Sequence, residues 1–433
     1  MKINIDDKES IAGVKKILFN SGWLISEQIV RLLVGLVVSV WIARHLGPTD
    51  FGTLTFLQAF ASLFIIIGTL GLNRIVVREL VVANGDANQE QCLLSTVFLL
   101  RLFAACILYI VSLAIGIGFD QAQPAYIAVV TCAVFFTTCE TFDLSFQSRV
   151  NARPVVLARS VGFFISSALK IVLLASGAKL GSFVIMCLAD NVISGLAVIL
   201  AYRGYLGKLP IRSFKVSLAY AMLGESWSEI IAAFSGLLFM RLDQIMLANM
   251  LDTNAVGIYS ASAKLSEIWY FLPVAIVSSA FPAVIASREE GANVYWRRLG
   301  SLLNFLVALF YAVLMFVYIY ASDLIPMIFG DGYTKSVAVL HVHIWCGLMV
   351  CFAQVSGAWL VNEKMIRFNL MRNLTGAILN FVLNCILIPY YGALGAAIAT
   401  MSSFVCAYFL FDFFHPSLRR MGMLKLKSLI FAA

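Results

Sequence analysis

The sequence predicts an all-α polytopic membrane protein of about twelve transmembrane helices arranged as two six-helix lobes. Three observations predict it. Of 433 residues, 61% are hydrophobic and only 12% charged, with a mean hydropathy of +0.92; a soluble domain carries roughly twice that share of charge. Residues 51–73, 299–322 and 373–411 hold no charged residue at all. The basic residues fall almost entirely on one side of the apolar runs, as described below.

A spanning helix needs about 20 mostly apolar residues, because hydrocarbon offers no partner for backbone polar groups. Spans are expected near 22–43, 51–72, 93–117, 124–144, 156–177, 181–202, 219–250, 255–284, 299–321, 337–360, 369–389 and 393–412. The first run carries Glu27 and Arg31 and ends Trp41-Ile42-Ala43-Arg44, with no small-residue cleavage pattern, so it reads as a span rather than a signal peptide. The seventh and eighth are long and less apolar, which tilt accommodates. The uncharged run 373–411 is too long for one crossing and divides at Pro389-Tyr390-Tyr391-Gly392. The nine cysteines lie in or beside apolar runs without a CxxC, and read as small hydrophobes.

Alternate connections on one side, together with both tails, carry 23 Lys and Arg residues; the other side has only Arg44, Lys179 and Lys335. This split predicts an even number of spans with both termini cytoplasmic, and it accounts for the net charge of +8 without nucleic acid. The outer connections 46–50, 176–179 and 251–254 are tight turns with no room for an extracytoplasmic catalytic domain. Residues 42–57 and 247–262 align at an offset of 205, pairing Ala43 with Ala248, Leu46 with Leu251 and Gly52 with Gly257. Leu180-Gly181 is echoed by Leu394-Gly395. The expected organisation is a cytoplasmic tail (1–21), an N-terminal lobe (22–202), a basic linker (203–218), a C-terminal lobe (219–412) and a basic cytoplasmic tail (413–433), the lobes being parallel repeats. The tail's Leu418–Lys427 stretch is basic and amphipathic, suited to an anionic inner leaflet or to solvent.

The stretch from Trp41 to Gly52 resembles the opening of the bacterial polysaccharide-biosynthesis membrane proteins. So do Leu70-Gly71-Leu72-Asn73 and Val77-Arg78-Glu79-Leu80. Arg241–Leu247, continuing into Val256–Ala261, is similar to that family's start of the second lobe. The family includes the O-antigen flippases, within the superfamily of multidrug, oligosaccharidyl-lipid and polysaccharide exporters. The resemblance implies a V-shaped bundle like that of the multidrug-and-toxin extruders. It also implies translocation of an undecaprenyl-pyrophosphate-linked oligosaccharide, an O-antigen or similar repeat unit, across the cytoplasmic membrane by alternating access. The two extra spans typical of the peptidoglycan lipid flippase are not found.

Such a cargo needs a polar, cationic path for its diphosphate head group. Five cations lie inside expected spans: Arg31, Arg101, Lys170, Arg241 and Lys264. A central charge costs at least ~2.5–3.5 kcal/mol on insertion scales, so such groups rarely face lipid, and Arg suits diphosphate through its fork of donors. The bland reading is ion pairing: Glu27 with Arg31 and Lys264 with Glu267 sit at helical spacing. Arg101, two turns from a span end, is placed to snorkel. Candidate ion-coupling acids are Glu27, Asp243, Glu140, Asp143 and Asp190; for Glu140 and Asp143 a solvated helix end is the plainer reading. His341 and His343 are two apart and point to different faces, which excludes a helical zinc pair. No Walker A, GxSxG or HExxH motif occurs, so no enzyme, cofactor or metal is expected. The partners implied are the lipid-linked oligosaccharide, membrane lipid, and H+ or Na+, while action beside a polysaccharide polymerase stays open. An ion-coupled drug or organic-cation antiporter of the same superfamily is the alternative, which the excess of in-span cations disfavours.

Overall fold

The computed structural model describes residues 8–83, 85–119, 122–210 and 213–432, with side chains from residue 30 onward. The chain is helical throughout, with no strand among the described residues. In order, the helices are α1 (Lys8–Gly68), α2 (Asn73–Ala83), α3 (Ala87–Gly116), α4 (Pro124–Ser148), α5 (Arg153–Ala175), α6 (Leu180–Tyr205), α7 (Val216–Met250), α8 (Thr253–Ala286), α9 (Ala292–Phe329), α10 (Ser336–Asn362), α11 (Ile366–Phe414) and α12 (Pro416–Ser428). Among the described residues, ten helical stretches are long and apolar enough to cross a membrane. Two of them are each as long as two crossings: Val30–Ala83 with 54 residues and Ile366–Phe414 with 49. The first is broken at Gly47 (φ 74°, ψ 173°) and the second at Gly392 (φ 58°, ψ −135°), backbone states that glycine adopts without a Cβ penalty. Large apolar side chains such as Phe103, Ile110, Val172 and Leu200 are mostly exposed, as lipid contact requires.

The chain forms two compact units. Unit 1 comprises 1–39 and 60–234; unit 2 comprises 40–59 and 235–433. In unit 1, α2 to α4, α6 and the start of α7 share a buried core that includes Leu72, Val76, Leu94, Val97, Phe142, Val198 and Met222. Asp86 caps α3 by accepting from the backbone N–H of Asn88 and Gln89. Gly71, at φ 60°, lets the chain pass against α7, where an added Cβ would lie 2.9 Å from the Ile230 nitrogen. Arg74 and Arg78 pair with Glu229 and Glu225 on that same helix.

In unit 2, residues 205 positions apart meet. A Cβ on Gly52 would lie 1.7 Å from the Thr253 oxygen, and one on Gly257 would lie 1.9 Å from the Pro48 oxygen. Asn254 donates to Thr49, and Ser260 to Thr55. These contacts are reciprocal, as on a two-fold axis. The constant offset seen in the sequence is therefore a physical pairing of two equivalent turns. Asp252 caps α8 through the Ala255 N–H, 2.7 Å away. Gly395 lets the two arms of α11 approach, since a Cβ there would lie 2.3 Å from the Leu387 oxygen. At the basic end of unit 2, Arg288 is tied to Glu363 at 2.9 Å.

A buried carboxylate and its candidate ion site

Asp243 of α7 is 1% exposed. One carboxylate oxygen accepts from the amides of Asn380 (3.0 Å) and Asn384 (2.6 Å). The other accepts from the hydroxyls of Tyr259 and Thr400. Asn380 and Asn384 are one helical turn apart on the first arm of α11, while Thr400 lies on the second arm, beyond the Gly392 break. Tyr259 comes from α8. All four donors are neutral. A buried carboxylate is commonly paired with a cation; here amides and hydroxyls supply the stabilisation instead. An amide that turns over presents its oxygen, and hydroxyls present lone pairs, so the same cage can hold a monovalent cation against Asp243 or leave a proton on it. With one carboxylate it lacks the charge for a divalent-ion site.

Asp243 lines a cavity of 410 Å³ together with Glu267, Tyr270, His343 and Thr400. Arg241 and Lys264 both lie close enough to Glu267 for their charges to act on it. Unit 2 thus gathers two expected cations and one expected acid, with Glu267 near both cations. Lys264 also sits over the Phe51 ring, 5.1 Å from its centroid. His343 meets the Tyr259 ring edge-on and His341 stacks on Tyr318, so the two histidines face different neighbours.

Unit 1 holds the remaining expected residues. Arg31 lies over Phe163, 5.4 Å from the ring centroid. Arg101 is 2% exposed and, rather than snorkelling, donates to Asn73 (2.7 Å) and Thr141 (3.1 Å), with the charge of Glu140 nearby. Lys170 pairs with Asp190 at 2.6 Å, and Ser166 donates to the same carboxylate. Asp143 is buried, pairs with Arg159 at 3.2 Å and accepts from Gln147. A 3-10 turn at Thr138–Phe142 shapes that part of α4. The Glu27 side chain lies outside the described residues.

Sequence reasoning missed a second charged cluster. Arg372 of α11, Asp412 at the end of α11 and Lys425 of α12 are each 0% exposed. Arg372 donates to Asp412 and to Ser356; Lys425 lies 2.8 Å from Asp412 and also donates to Ser356 and to the Tyr408 oxygen. The helical spacing of Leu418, Met421, Lys425 and Ser428, all buried, was the available signal. The partners of Asp243 were also missed, since neutral side chains 16 to 157 positions away carry no local mark.

Ten helical stretches long and apolar enough to span a bilayer, among the described residues, define a polytopic membrane protein. The fold is shared with the lipid II flippase MurJ in an inward closed conformation, at a TM-score of 0.67 and 15% identity over 94% of this chain and 91% of that one. It is likewise shared with an inward-facing multidrug resistance MATE family transporter of the MOP superfamily, at 0.65 and 13% over 92% and 96%. The model of the polysaccharide biosynthesis protein family matches residues 17–287, and the chain belongs to that family. It is 23% identical over 416 residues to a putative O-antigen transporter of Shigella flexneri, covering 88% of this chain and 94% of that protein. A probable flippase AglR of Haloferax volcanii is 28% identical over 202 residues, covering 45% of this chain and 40% of that protein.

Proposed function

We propose that the protein is a flippase that carries an undecaprenyl-pyrophosphate-linked oligosaccharide, of the O-antigen repeat-unit kind, across the bacterial cytoplasmic membrane by alternating access of two six-span lobes. The observation that carries this reading is similarity along nearly the whole of a putative O-antigen transporter. The chemistry agrees with it. Arg31, Arg241 and Lys264 supply positive charge within apolar helices, where a diphosphate must be neutralised to pass. In the conformation described, Arg101 and Lys170 are engaged within unit 1; substrate contact by either requires those bonds to be exchanged. The basic residues on alternate connections support cytoplasmic placement of both termini.

Asp243 is the first choice for coupling transport to H+ or Na+, ahead of Asp190 and Asp143, which have cationic partners, and of Glu140 and Glu27. A polysaccharide polymerase is the natural neighbour to receive the product. A drug antiporter of the same superfamily would use a similar carboxylate, but a cationic cargo is opposed by the cations at Arg31, Arg241 and Lys264.

Cells lacking this gene and complemented with the wild-type chain are expected to regain surface polysaccharide, while Arg31→Ala and Arg241→Ala fall at least about tenfold below it. Full polysaccharide in both variants removes the site assignment. Dye efflux by the wild-type chain in an exporter-deficient strain, without any effect on polysaccharide, turns the reading to the antiporter.

A further inference from the structure

The first arm of α11 carries a stripe of polar and small residues: Asn369, Asn373, Gly376, Asn380 and Asn384. At 100° per residue these positions fall within an arc of about 80°, and the stripe is about 22 Å long. Its upper pair, Asn380 and Asn384, donates to Asp243. Its lower pair, Asn369 and Asn373, lines a second cavity, of 450 Å³, nearer the basic end of unit 2. That cavity adjoins the one containing Asp243: both are bounded by Gln354, Asn373 and Tyr408.

Aromatic rings pack at the midpoint of the stripe. Gly376 leaves room for Phe239, since a Cβ there would lie 2.6 Å from two ring carbons. Phe239 packs edge-on against Phe404 and stacks on Tyr408, with centroids 4.7 and 6.0 Å apart. The Tyr408 hydroxyl donates to Asn373 at 3.1 Å, and both residues line both cavities. Tyr408 itself lies in a π turn, Cys406–Leu410. Such a turn holds one extra residue in the helical ladder and often marks a functional site.

We propose that the amide stripe is the route by which a monovalent cation enters and leaves Asp243 from the basic end, with Tyr408, latched to Asn373, as its gate. This rests on the coupling role given to Asp243 above. Neutral amides suit such a route, because their oxygens replace part of a cation's hydration shell without binding it so tightly that it stays. The same amides can order a water chain if the cation is a proton. The latch is a single neutral hydrogen bond, weak enough to break within a transport cycle.

The test uses the full chain in proteoliposomes, with 22Na+ exchange in one arm and proton flux reported by entrapped pyranine in the other. One of the two fluxes is expected in wild type and lost in Asp243→Asn. Tyr408→Phe keeps the ring and removes the latch, and is expected to raise that flux several-fold. Asn369→Leu narrows the route and is expected to lower it several-fold. The double variant Tyr408→Phe/Asp243→Asn is expected to be silent, which separates gating from a leak. Flux that survives Asp243→Asn overturns the coupling role and the route together. Flux lost in Asp243→Asn but unmoved by Tyr408→Phe and by Asn369→Leu overturns the route alone.

Discussion

Removing one donor from Asp243 strands part of a buried charge, and a hydrogen bond to a charged group contributes about 1.5–3 kcal/mol. Thr400 makes that bond from the second arm of α11, so its hydroxyl ties that arm to the carboxylate. Thr400→Val is expected to lose about that much stability, seen as a lower midpoint of thermal unfolding in detergent, and to weaken whichever cation flux Asp243 supports. An unchanged midpoint and flux would show that the cage is not needed. Asp243 was readable in the sequence as an acid inside an apolar run, because charge at that place stands out against its neighbours. Its cage was not readable: Asn, Thr and Tyr are ordinary in helices, and the contacts close over separations of 16, 137, 141 and 157 residues. The reverse holds for Lys170 and Asp190. Each was legible alone, yet their pairing depends on how α5 packs on α6.

At the scale of elements, α12 shows how a tail that reads as basic becomes part of a core. It follows the break at His415-Pro416 and is clamped through Lys425 to Asp412, which also pairs with Arg372. Arg420 lies over Trp296, and the Tyr311 hydroxyl donates to the Leu429 oxygen. Two cations and one carboxylate leave a net buried positive charge. Burial pushes the Lys425 ammonium down to about 8 from the usual 10.5, against the opposing pull of Asp412 and with repulsion from Arg372. Between those values the unfolded chain binds more protons than the folded one, so stability rises with pH across the window, and the gain is lost as pH falls through about 8. The unfolding midpoint is therefore expected to increase between pH 7.5 and 9.5 relative to Lys425→Met, in which this slope vanishes; parallel profiles for the two proteins would refute it. The paired turns around Gly52 and Gly257 make a second element-scale prediction. Gly257→Ala forces a methyl group against the Pro48 backbone and is expected to cost more than about 3 kcal/mol, read as loss of monodisperse protein on size exclusion. Gly224→Ala, with nothing within 4 Å, serves as its control and is expected to behave as wild type.

At the scale of the whole molecule, the membrane-spanning class was legible from hydrophobic run length alone, because backbone satisfaction in lipid leaves few alternatives to a long helix. The breaks at Gly47 and Gly392 were legible as well, the first as a Gly-Pro turn between two expected spans and the second beside Pro389 in an otherwise uncharged run. The grouping of residues 40–59 with 235–433 was not, since local periodicity says nothing about which distant surface a helix end packs against. The central claim is that basic side chains within these helices neutralise a diphosphate-linked glycan while it crosses. The most direct measurement is leaflet-to-leaflet transfer of a defined undecaprenyl-diphosphate oligosaccharide in proteoliposomes containing the purified chain, with and without H+ or Na+ gradients. Wild type is predicted to transfer it, with Arg31→Ala and Arg241→Ala at least about tenfold slower. Transfer no faster than in protein-free vesicles, or equally fast in wild type and both variants, would contradict the claim.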